Sequence, residues 1–219
     1  MRCLYLDTSS SFLYSGIISD DKLVSEIKEK MDNDLSKITL YKIEEMFKSV
    51  SLKPKDIDKI IVVNGPGSFT GIRVGITIAK TYAWGLKKSI TTISSLEAMA
   101  ISSTSNTYKV PLIDARRGYV YAAIYDKDNN VVMEPAHIKL ENLEEEIKKL
   151  DSDITVITND DVEINYTKEK YNPNILEIVK KFKAKKEINP HIVNPEYLKL
   201  TEAEEKNKKN DWRSKRNNK

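Results

Sequence analysis

Two short apolar runs, each closed by an aspartate, recur along this chain. Cys3-Leu4-Tyr5-Leu6-Asp7 leads into the polar turn Thr8-Ser9-Ser10-Ser11, a second apolar run through Phe12, Tyr14 and Ile17, the turn Ser19-Asp20-Asp21-Lys22 and a third stretch containing Val24. A shift of 107 positions lays the first copy on the second without a gap: Asp7 on Asp114, Phe12 on Tyr119, Tyr14 on Tyr121, Ile17 on Ile124 and Val24 on Val131. The second copy has its turns at Ala115-Arg116-Arg117-Gly118 and Asp126-Lys127-Asp128-Asn129. Short polar turns between apolar runs predict three antiparallel strands in each copy. Aspartates and aromatics matching in one register favour duplication over a coincidence of two meanders.

Each copy continues with a helical period and a further apolar run. The first helix is expected to start at a cap on Asn33 or Asp34 and to end near Val50, with Leu35, Ile38, Ile43, Met46, Phe47 and Val50 on one side and Pro54 as a stop. A strand over 59–63 follows, apolar enough to be buried on both faces. The second copy predicts a helix over 140–150 and a strand over 154–158. The expectation is an α/β protein of two related lobes, 1–105 and 106–200, built from duplicated βββαβα units and followed by a tail, 201–219. At the level of fold this resembles the two-lobed actin-like superfold of sugar kinases and heat-shock ATPases, of ribonuclease-H-like type.

Four of the seven glycines fall within Gly65-Pro66-Gly67-Ser68-Phe69-Thr70-Gly71-Ile72-Arg73-Val74-Gly75, directly after the buried strand. The loop is not a Walker A sequence, and Thr70 stands where a dinucleotide fingerprint needs glycine. It does offer close backbone approach at Gly65 and Gly67, caps at Ser68 and Thr70, and helix-start amides suited to an anion. The next helix, over 70–86, carries small residues every fourth position at Gly71, Gly75, Ala79 and Ala83. Such a stripe lets another backbone approach, from within the same lobe or from a partner. Ile72, Val74, Ile76, Ile78, Tyr82, Trp84 and Leu86 occupy the other faces, so most sides of this helix should be covered. Arg73 is costly to bury alone, which points to a pairing or an anion.

Composition narrows the chemistry. With two histidines, His137 and His191, in no metal-binding spacing, a histidine zinc site or a histidine-based hydrolase has little to draw on. One cysteine, Cys3, makes no internal disulfide and reads as a buried thiol rather than a nucleophile; a reducing cytoplasmic setting is expected, with no membrane association. Residues 206–219 hold seven bases against Asp211, a net +6, and since the whole chain carries +3 the first 205 residues carry −3. That tail reads as a solubilising segment or as a phosphate-binding arm with Trp212 as a stacking group.

The glycine segment 65–75 resembles the signature of the TsaB (YeaZ) family, the companion subunit in bacterial synthesis of threonylcarbamoyladenosine beside the tRNA anticodon. The likeness extends through Leu6-Asp7-Thr8, Ile57-Asp58, Ile113-Asp114-Ala115-Arg116-Arg117-Gly118 with Val120-Tyr121, and Pro195-Glu196-Tyr197-Leu198, over most of residues 1–200. The resemblance implies the actin-like fold and a catalytic paralogue, TsaD, whose metal is held by a His-x-x-x-His pair. Ser95 and Met99 stand at the corresponding places here, and neither replaces imidazole. The chain departs from the family pattern at Asp32-Asn33-Asp34-Leu35-Ser36 and at Tyr119.

Two functions follow as expectations. In the first, the chain has no catalytic residue and no metal; it is a scaffold that pairs with TsaD, works beside the ATPase TsaE, forms a homodimer when TsaD is absent and meets tRNA indirectly, through the tail at most. Its interface would comprise Leu35, Ile38, Met46, Gly71, Gly75, Ala79, Tyr82 and Ala83, and it needs no cofactor of its own, ATP or ADP at the subunit junction being an option. In the second, the chain is a free-standing ATPase or phosphotransferase. Asp7 and Asp114 would then face a nucleotide–magnesium cleft, and Thr8, Gly65, Gly67, Ser68, Thr70 and Arg73 would lie near phosphate. The aspartates can equally serve to fix strand ends and turns.

Overall fold

A computed structural model describes residues 1–31 and 35–199. The expected capping residues Asn33 and Asp34 and the tail, 201–219, lie outside the described residues. The first meander forms β1 (Arg2–Asp7), β2 (Phe12–Ser19) and β3 (Lys22–Lys30). It is followed by α1 (Leu35–Ser49), β4 (Lys59–Gly65), α2 (Phe69–Gly85), β5 (Ser89–Ser94) and α3 (Ser95–Ser102). The second meander forms β6 (Tyr108–Asp114), β7 (Tyr119–Tyr125) and β8 (Val131–Lys139), then α4 (Leu140–Lys148), β9 (Ile154–Ile157), β10 (Thr167–Glu169) and α5 (Ile175–Phe182).

The two sheets share one topology. The first runs β3-β2-β1-β4-β5 and the second β8-β7-β6-β9-β10, with the meanders antiparallel and the remaining pairs parallel. The register that places Asp7 at the end of β1 places Asp114 at the end of β6, as the duplication requires. This is the two-lobed actin-like arrangement.

Strand alternation divides the core of the first lobe. Leu4, Leu6, Leu13, Ile17, Ile60 and Val62 face Ile43 and Phe47 of α1 and Ile72, Ile76 and Ala79 of α2. Their neighbours Cys3, Tyr5, Tyr14, Ile18, Ile61 and Val63 face Ala98 of α3 and Ile175, Ile178, Val179 and Phe182 of α5. Both faces of the sheet are therefore buried, and β1 and β4 are apolar over 3–6 and 60–63 for that reason. Helix α3 is the layer between the lobes: Ala98 packs on the first sheet, while Leu96, Met99 and Ala100 meet Ala123, Tyr125 and Ile157 of the second.

Two expectations need correction. The second copy lacks its last helix, because the connection from β9 to β10 is irregular and fills the space with Val162 and Ile164. The span 106–200 is not one packing unit either. From Ile175 the chain returns to the first lobe, where α5 covers the sheet, Ile188 N donates to Ile90 O, and Val193 joins the α1–α2 core.

Candidate functional site

The glycine loop is closed by the protein itself. The β1–β2 turn lies against it: Ser68 N donates to Ser9 O at 2.7 Å, and Thr8 Oγ1 donates to Gly71 O at 2.7 Å. A Cβ at Gly67 would stand 2.2 Å from Ser9 O, one at Gly71 2.0 Å from Thr8 O, and one at Gly75 2.4 Å from Thr8 Oγ1. A Cβ at Gly65 would stand 2.8 Å from Glu196 O, in the segment that crosses back over the loop. Gly65 and Gly67 also carry φ of +118° and +149°, which side chains rarely adopt. Ser68 caps α2 by accepting from Gly71 N. Thr8 Oγ1, Ser68 N and Ser68 Oγ are thus engaged in internal hydrogen bonds and Gly65 packs beneath Glu196, while Gly67 and Ser68 also line the cleft between the lobes.

The small-residue stripe belongs to this same contact. Gly71, Gly75, Ala79 and Ala83 are buried inside the first lobe, as is Met46 of α1. The stripe is packed from within the lobe rather than left open; Ile38 and Tyr82 are half-buried, and the side chain of Leu35 is outside the described residues.

The matched aspartates act alike at the turns but differ in exposure. Asp7 is 2% exposed, and its Oδ1 accepts from Ser9 N at 2.8 Å and Ser9 Oγ at 2.7 Å, with Tyr5 OH at 3.5 Å from Oδ2. Burial pushes its carboxyl above the ordinary value, and the Ser9 bonds offset part of that rise. Asp114 is exposed; its Oδ1 accepts from Arg116 N at 2.7 Å, while Asp114 N donates to Asp160 Oδ2 at 2.7 Å. Each aspartate secures the backbone two residues on. The pair does not face one ligand across a cleft, because only Asp114 lines it.

The surface left open lies on the other side of α2. Phe69 is 56% exposed at the start of α2 and Leu40 48% exposed on α1, while Trp84 (67%) near the end of α2 and Tyr41 (57%) of α1 are exposed as well. Thr70, Arg73, Val74 and Thr77 line a groove with Leu40 and Phe69. The Arg73 guanidinium lies 3.6 Å over the Phe69 ring, and its Nε donates to Tyr197 OH at 2.8 Å; Tyr197 stacks on Phe69 at 5.4 Å. Arg73 is therefore held in an aromatic clamp between Phe69 and Tyr197. The spacing Phe69, Arg73 and Thr77, one turn after another, was the signal in the sequence for this face.

Between the lobes lies a cleft of about 1120 Å³, lined by the β1–β2 turn, the ends of β3 and β6, and the segment after β10. Ser95 and Met99, at the places where the paralogue's histidines would stand, lie on its α3 side, with Ser95 Oγ donating to Pro66 O at 2.5 Å. Among the described residues no group of three or more His, Cys, Asp or Glu side chains converges as a metal site. No described helix is long and apolar enough to cross a membrane.

Comparison with known proteins fits this architecture. Residues 29–175 match the family model for TsaD, tRNA N6-adenosine threonylcarbamoyltransferase. The tRNA threonylcarbamoyladenosine biosynthesis protein TsaB of Bacillus subtilis (strain 168) is 30% identical over 223 residues, covering 94% of this chain and 97% of that one. TsaB of Escherichia coli (strain K12) is 32% identical over 133 residues, covering 59% and 57%. Among solved structures, YeaZ from Pseudomonas aeruginosa superposes with a TM-score of 0.74 at 16% identity, covering 90% of this chain and 99% of that one. A second Pseudomonas aeruginosa structure, of a protein with similarity to peptidase YeaZ, reaches 0.78 at 17% identity over the same shares. With the glycine loop, the repeated topology and 30% identity to a curated relative over nearly its whole length in agreement, the chain belongs to the TsaB (YeaZ) family.

Proposed function

We propose that this chain is the non-catalytic partner of a metal-bearing TsaD-type subunit and contributes structure to threonylcarbamoyl transfer onto tRNA adenosine. In that reaction the exocyclic amine of the adenosine attacks the acyl carbon of threonylcarbamoyl-adenylate and AMP leaves; the chemistry belongs to the partner. The observation that carries the reading is the open groove between α1 and α2, where exposed Leu40 and Phe69 lie beside an ordered arginine–aromatic cluster. Exposed aromatics and arginine are the residue types that anchor protein interfaces. A homologous partner presenting its own equivalent helices would complete a helical bundle there, and a second copy of this chain would occupy the same face when the partner is absent. TsaE would act on the assembled pair, and ATP or ADP would lie across the subunit junction.

The test is threonylcarbamoyladenosine formation on unmodified tRNA by the partner, the adenylate synthase and TsaE, with and without this chain. Product only in its presence is the expected result; equal product without it would remove the activating role. The free-standing ATPase alternative lacks support from Asp7, whose carboxylate is buried on Ser9, and turnover of ATP by the isolated chain would restore it.

A further inference from the structure

We infer that the cleft between the lobes is a binding site for single-stranded RNA, separate from the α1–α2 face and needing no partner subunit. Four cations line it, Lys28 and Lys30 from the first lobe and Arg116 and Lys170 from the second, against two carboxylates, Asp114 and Asp160. Each of those carboxylates already holds a backbone amide, at 2.7 Å in both cases. Lys28 pairs with Glu26 at 3.3 Å, but the side chains of Lys30, Arg116 and Lys170 make no ion pair or hydrogen bond among the described residues. Three unpaired cations converging from both lobes on one concavity attract an anion.

The kind of anion follows from what the cleft lacks. A magnesium–triphosphate needs carboxylates for the metal and free backbone amides for the phosphates. Here Asp7 is buried and spent on Ser9, and Ser68 N, in the glycine loop, is spent on Ser9 O. The charge facing the cleft comes from side-chain cations spread over both lips, which suits singly charged phosphodiesters along a strand. At about 1120 Å³ the cleft also exceeds the roughly 300–1,000 Å³ typical of small-ligand pockets. Its wall supplies flat apolar surface: Phe12 stacks on Tyr14 at 5.4 Å with ring planes 1° apart, and Tyr171 meets Tyr14 edge-on at 5.6 Å. Half-buried Phe12 ends this series and offers a base a stacking face, the sequence-tolerant component of single-strand binding.

The experiment uses the full chain and a fluorescent ten-nucleotide RNA carrying 4-thiouridine, with photocrosslinks mapped by mass spectrometry and affinity followed against salt. Crosslinks at Phe12, Tyr121 or Tyr171 are expected. The double variant Lys30→Gln/Arg116→Gln, both exposed and neither holding the fold through its side chain, should weaken binding at least tenfold at low salt. It should also flatten the slope of log affinity against log salt by about 1.4, the value for two lost single-strand phosphate contacts. Lys215→Gln/Arg216→Gln, in the basic tail, should leave the cleft crosslinks in place. Crosslinks confined to residues 206–219, an unchanged slope in the cleft variant, or displacement of the RNA by equimolar ATP and magnesium would each overturn the proposal. Because no partner is present, such a result would leave the accessory-subunit reading standing.

Discussion

Asp7 shows how one residue can look catalytic in a sequence and be structural in the fold. It closes β1 at the position its counterpart Asp114 holds on β6, and the matched pair invites a metal; yet its carboxylate is sealed beneath the turn it organises. The sign of its pH effect follows. The unfolded carboxyl titrates near 3.8 and the buried one higher, so between those values the native state holds a proton that the unfolded state has released. Its contribution to stability therefore falls as pH rises through that window, by up to about 1.4 kcal/mol for each pH unit inside it. Asp7→Asn keeps an oxygen for Ser9 and removes the titration. Chemical denaturation of both proteins from pH 4 to pH 8 should show the variant gaining on the native chain as pH rises, and a constant difference would contradict this account. Cys3 follows the same rule of burial: its thiol is pushed up to about 11, which suits the inert core residue expected of it.

Elements were easier to read than their surroundings. The meanders, α1 and β4 follow from alternation, helical period and turn chemistry, and the repeat supplied the second sheet because its aspartates and aromatics kept register. Which side of α2 is left open could not be read locally, since glycine and alanine every fourth residue serve a monomer core and a partner interface equally well. The β1–β2 turn, distant in sequence, takes that groove. Two variants of α2 separate the faces. Gly75→Leu forces a side chain into Thr8 Oγ1 and should cost at least about 3 kcal/mol of folding stability. Phe69→Glu/Trp84→Glu changes exposed positions and should leave the melting temperature within a few degrees of the native value while abolishing co-elution with the partner. Retained association in the second variant would move the interface elsewhere.

At the scale of the whole molecule, the departures from simple duplication concern where the chain goes after its second sheet. Ile175, Ile178, Val179 and Phe182 have clear helical spacing, but nothing local says that their apolar stripe covers β1 and β2 rather than β6 and β7. The cationic lips of the cleft were equally hidden, because Lys30, Arg116 and Lys170 come from three separate segments that only the folded lobes bring together.

The return of α5 makes the second lobe a guest in the first. The chain leaves its host after α3 and comes back before α5, and there Asn174 N donates to Ser102 Oγ at 3.0 Å, so departure and return are a hydrogen bond apart. Insertions of this geometry can be excised without stretching the host. A chain joined from residue 104 to residue 173 by a short glycine–serine linker, with Leu96 and Met99 made polar where the guest had covered them, should melt cooperatively as a single small domain. A molten product would show instead that host and guest have become one folding unit.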